Sequence, residues 1–81
     1  MNPTITIVLP PTAENPMPLI LKLITLASIN NAGLDIKRGE SISPISVSGD
    51  LELDSAEEIK QIALKIYNEW AEREGLNDQN S

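Results

Sequence analysis

Five carboxylates fall in one short stretch: Asp50, Glu52 and Asp54 at every second position, then Glu57 and Glu58. On an extended chain, residues at i, i+2 and i+4 share one face, about 7 Å apart in succession. Such a row could grip a hard divalent cation or meet a basic protein surface. A calcium loop would need a glycine and a closing glutamate at other positions, so no metal is expected and the acidic corner is assigned to partner binding. The competing reading is a solvated strand face running into a helix whose positive end favours acid.

The second group is Lys37-Arg38-Gly39-Glu40, where two adjacent cations could contact a phosphate or an acidic partner, or simply form a charged hairpin tip. Lys22 stands alone in an aliphatic run and could be a lysine of lowered pKa, although its stem can carry the charge out to water. Histidine and cysteine are both absent. The usual neutral-pH base, the Ser-His and Cys-His pairs and thiolate chemistry go with them. The four glycines are isolated, without a phosphate-cradling pattern. No enzymatic activity and no cofactor are expected.

The element that must be accommodated first is Leu19-Ile20-Leu21-Lys22-Leu23-Ile24-Thr25-Leu26-Ala27-Ser28-Ile29. One polar residue in every three is a helical rhythm, and it leaves about two-thirds of the cylinder apolar. The spacing predicts a helix capped by Asn15 with Pro16 at its first position, or shifted to Met17-Pro18, and stopped near Asn31 with Gly33 at positive φ. A helix so widely apolar needs more cover than one small chain supplies. Self-association through Leu19, Leu23, Leu26 and Ile29 is therefore expected, as a homodimer or higher oligomer.

Around this helix, Thr4-Ile5-Thr6-Ile7-Val8-Leu9 alternates as a strand and ends at Pro10-Pro11. Leu34-Asp35-Ile36-Lys37 reads as a short edge strand. From Ile45 to Asp54 apolar and polar residues alternate without a change of phase. A tight turn at Gly49-Asp50 would mix the faces, so one long strand over about 43–53 is expected, with Gly49 as a bulge or a point of close approach. Ser55-Ala56-Glu57-Glu58 has the form of a capping box. Ile59, Ile62, Ala63, Ile66, Tyr67, Trp70 and Ala71 then form the apolar stripe of a second helix, ended at Gly75 with Leu76 folding back. Trp70 and Tyr67 suit either an interface anchor or the core.

The expected architecture is α+β: a small sheet of about three strands with two helices, order β-α-β-β-α, a single compact domain over 1–76, with a polar tail over 77–81. Twelve acidic against six basic residues, net charge −6, argue against nucleic acid as a partner. The aliphatic run is too short to span a membrane, which needs about 20 residues. Nothing at the N-terminus has the form of a signal peptide, so a cytoplasmic location is expected. The function these features imply is a small acidic protein-protein interaction module, an adaptor or compact inhibitor, binding itself and another, basic protein. The alternative is an oligomer that holds a small anionic ligand between subunits, with Lys37, Arg38 or Lys22 meeting its charge.

Overall fold

Alternation of β-branched residues makes Thr4–Leu9 the first strand, β1, with Ile5, Ile7 and Leu9 buried and Thr4, Thr6 and Val8 half-exposed. The computed structural model describes residues 2–40 and 43–75. After β1 come α1 (Met17–Ile29), β2 (Gly33–Arg38), β3 (Ile45–Ser48) and α2 (Leu53–Arg73), an α+β fold in the expected order.

The sheet has the order β2-β1-β3, with β2 parallel and β3 antiparallel to the central strand. A parallel neighbour needs a crossover, and α1 supplies it. In register, Ile5 lies between Leu34 and Val47, and Ile7 between Ile36 and Ile45. These residues form the apolar face, against which, Ile36 at the exposed β2 edge excepted, both helices pack through Leu19, Leu23, Leu26 and Ala27 of α1 and Ile59, Ala63, Trp70 and Ala71 of α2. The opposite face carries Thr4, Thr6 and Val8, aligned with Asp35, Lys37, Ser46 and Ser48. It is left to solvent. Because β2 and β3 flank β1 on opposite sides, Arg38-Gly39-Glu40 is not a hairpin tip. The chain crosses the end of β1, where the Gly39 N–H donates to Leu9 C=O at 2.9 Å and the Val8 N–H to Pro44 C=O at 2.8 Å.

The expectations for both ends of α1 are corrected. α1 takes the shifted start, at Met17, with Pro16 rather than Asn15 in the N-cap position, and Pro18 lies in the first turn, where its missing N–H has no intrahelical acceptor. At the other end Asn31, not Gly33, takes positive φ (53°), and Gly33 opens β2. The Ala32 N–H donates to Ala27 C=O at 2.8 Å and the Asn31 N–H to Ser28 C=O at 3.2 Å, which completes a Schellman motif with asparagine in the left-handed place.

The long strand over 43–53 does not form. β3 ends at Ser48, opposite Thr4, where β1 begins. Beyond that point Gly49 (φ 116°) turns the chain away beside Pro3, so close that a Cβ on Gly49 would lie 2.6 Å from Pro3 Cα. The close approach expected at Gly49 is present, but it terminates the strand. The polar-apolar alternation of residues 50–54 consequently has no ladder to serve. Leu51 is half-buried and Leu53 is the first helical residue, 84% exposed.

The capping box is corrected for the same reason. The helix starts earlier, Glu52 is the N-cap with extended backbone and no side-chain cap bond, and Ser55 lies within the first turn. At the far end, Gly75 has positive φ (75°) as a helix stop. The expectations for Leu76 and for the tail over 77–81 fall outside the described residues.

The β1–α1 connection is held from two sides. It contains a turn in which the Ala13 N–H donates to Pro10 C=O at 3.1 Å. Arg38 Nη1 donates to the carbonyls of Ala13 (3.0 Å) and Pro10 (3.3 Å), and the indole Nε1 of buried Trp70 donates to Asn15 C=O at 3.0 Å. Trp70 is thus core and clasp together.

Two substitutions test this account by urea unfolding. Gly49→Ala places a Cβ against backbone at a disfavoured φ and is expected to cost about 1–3 kcal/mol, whereas Ser48→Ala, one residue away on the solvated face, should stay within about 0.5 kcal/mol. Trp70→Phe keeps most of the apolar contact but leaves the Asn15 carbonyl without its donor, for an expected loss of at least about 1 kcal/mol.

Candidate interaction surfaces

The acidic corner is placed differently from the strand face foreseen for it. Asp50 lies in the bend after β3, Glu52 caps α2 and Asp54 sits in the first turn of that helix, so the three do not form one row. All five carboxylate residues (Asp50, Glu52, Asp54, Glu57 and Glu58) are exposed. Glu57 is oriented by its own helix, accepting a hydrogen bond from Gln61 Nε2 at 2.7 Å. Among the described residues no three carboxylates are grouped so as to hold a metal ion. The arrangement is a loose acidic rim at the start of α2, suited to long-range attraction of a basic surface.

The cations do not converge. Lys37 aligns with Val8 and Arg38 with Leu9, so the strand pleat sends their side chains to opposite faces. Arg38 is moreover engaged with the carbonyls of Pro10 and Ala13. Lys22 lies on exposed α1 beside a shallow apolar groove of about 310 Å³, lined also by Thr25, Leu26, Ile29 and Ile66. An anion bound by Lys37 and Arg38 together would require Arg38 to leave the loop it secures.

The face of α1 that seats the chain's own core is the one assigned above to self-association. Leu19, Leu23 and Leu26 are buried against the sheet and α2, and of the four named residues only Ile29 is exposed. A second apolar stripe lies on the other side of the helix at the same three-and-four spacing: Met17, Leu21 and Ile24 are 52%, 57% and 49% exposed. The sequence carries both stripes with equal clarity. Which one faces inward depends on how the crossover sets the helix on β1 and β2.

No protein-family model, curated protein or solved structure matches this chain.

A further groove, of about 210 Å³, runs between β3 and the start of α2 and is lined by Ser46, Val47, Leu53, Ala56, Glu57 and Lys60. Sequence reasoning missed it because Leu53 was assigned to a strand. Among the described residues no polar or charged residue is buried, so ionisable chemistry is confined to the surface. No described helix is long and apolar enough to cross a membrane.

Tyr67 is half-buried with its ring 5.7 Å from that of Trp70, and burial raises its hydroxyl above the usual value near 10. The neutral phenol is favoured in the folded chain and the unfolded chain ionises first. The associated stability is complete below the unfolded pKa and is lost as pH rises through the folded one. Ultraviolet titration of this single tyrosine should give a native midpoint above that measured in urea. The stability difference between the parent chain and Tyr67→Phe should shrink above about pH 10; a native midpoint at or below the urea value would contradict this placement.

Proposed function

We propose that the chain is a small non-catalytic protein interaction module, acting as an adaptor or compact inhibitor, that pairs with a second copy through the outer stripe of α1 and presents its acidic rim to a basic partner protein. The observation that carries this reading is the exposed stripe of Met17, Leu21 and Ile24 on a helix whose inner face is already occupied. Grouped aliphatic side chains on the surface of so small a chain are a docking feature.

Charge favours a second copy as the occupant. The molecule has net charge −6, yet no carboxylate side chain occurs between Glu14 and Asp35, and α1 itself carries only Lys22. Two copies can approach through α1 without bringing acid onto acid. A contact through the acidic rim would oppose like charges. The absence of histidine and cysteine and the surface position of the ionisable groups support a role in binding rather than turnover.

Light scattering over a concentration series tests the pairing. The parent chain should have the mass of a dimer, and Leu21→Glu with Ile24→Glu should give a folded monomer of nearly unchanged stability. Leu23→Glu, at a core position, should instead unfold the chain. A parent protein that stays monomeric to millimolar concentration would overturn the reading.

A further inference from the structure

The two edges of the sheet are not equivalent. β2 exposes Asp35, Lys37 and Arg38, and charged side chains of this kind discourage further pairing. β3, with the sequence Ile-Ser-Val-Ser, carries no charge.

Register fixes which of its backbone groups are available. The Val8 N–H donates to Pro44 C=O, and continuing the antiparallel register makes Thr6 with Ser46 and Thr4 with Ser48 the hydrogen-bonded pairs. Ile45 and Val47 therefore turn their N–H and C=O groups away from β1. The Ile45 carbonyl accepts from Ser43 Oγ at 3.2 Å. The Ile45 N–H and both polar groups of Val47 face outward.

A residue hydrogen-bonded opposite Val47 would place its side chain on the same side of the sheet as that of Val47, beneath α2. That is where the 210 Å³ groove lies, bordered by Val47, Leu53, Ala56 and the stem of Lys60. Its rim carries Glu57, and the chain beside Leu53 adds exposed Glu52 and Asp54.

The geometry points to β3 and the start of α2 as a site that accepts an extended segment of another protein as a fourth strand, with an aliphatic residue opposite Val47 and basic residues flanking it. The inference rests on the interaction-module reading and names the class of its partner. Main-chain pairing supplies affinity, the groove selects the aliphatic side chain, and the acidic rim selects the basic flanks. A second copy is disfavoured as the occupant because its own β3 is uncharged and followed by acid.

The test uses fluorescence anisotropy with a labelled peptide, RKTVTVTKR, and two N-methylated forms of identical charge. Methylating the valine amides removes the donors that would face Val47, and methylating the threonine amides alters the opposite edge. The unmodified and threonine-methylated peptides should bind within about threefold of each other, while the valine-methylated form binds about tenfold more weakly, as expected when the hydrogen bond to the Val47 carbonyl is lost and a methyl group stands in the pairing edge. Leu53→Ser, at an exposed position, should weaken binding several-fold without changing thermal stability. Equal binding of the two methylated forms would reduce the contact to charge attraction and overturn the proposal, as would absence of binding at millimolar peptide. The Leu21→Glu, Ile24→Glu monomer should still bind, which separates failure here from failure of the dimer. If saturating peptide dissociates the parent dimer, the edge belongs to self-association and the proposal fails.

Discussion

The fold depends on β1 being paired along both of its edges. Its backbone bonds to β2 on one side and β3 on the other, while Ile5, Ile7 and Leu9 anchor the apolar face on which both helices rest. Everything adjacent follows from where this strand begins and ends. At its start, Gly49 packs closely against Pro3 and turns at positive φ, so β3 stops and the chain turns into α2. At its finish, the two prolines lead into the tight connection to α1, and the carbonyls of Pro10, Ala13 and Asn15 receive donors from Arg38 and Trp70. A strand of central position but modest length sets the size of the sheet.

A small sheet limits what can be buried on it. Chains of this size leave a large share of their surface in water, and α1 is apolar over more of its circumference than one sheet and one helix can cover. Leu19, Leu23, Leu26 and Ala27 complete the core, after which Met17, Leu21 and Ile24 remain outside. The acid-free character of this segment gives the exposed stripe an electrostatic setting unlike the rest of the molecule. Apolar surface and low repulsion thus coincide on α1, whereas backbone donors, an aliphatic groove and acid coincide at β3 and the start of α2. The two surfaces use different physics, the first burial of side chains and the second directional main-chain bonds with charge selection.

Several groups that look chemically versatile in isolation are committed to structure. Arg38 is tied to the β1–α1 connection, Trp70 clasps the same loop from α2, and Tyr67 packs beside it. Their roles concern the integrity of the loop that leads into α1, so changes there reach function through the placement of that helix.

Much was legible in order along the chain. The β-branched alternation of β1, the three-residue rhythm of α1, the charged edge of β2 and the apolar stripe of α2 each reflect local periodicity, which a sequence carries without reference to its neighbours. The element order and the α+β class follow from them. Strand length did not, because a strand persists only where a partner offers a ladder, and the alternation through Asp50, Glu52 and Asp54 outlasts the partner. The capping box at Ser55 failed for a related reason: the turn at Gly49 delivers the chain to the helix sooner than the side-chain signal suggests. Sequence alone also determined that α1 is apolar over about two-thirds of its circumference. Only the tertiary structure decided which stripe is core and which is surface, because that choice is made by the docking of the helix on β1 and β2, where burying one face necessarily turns the other to water.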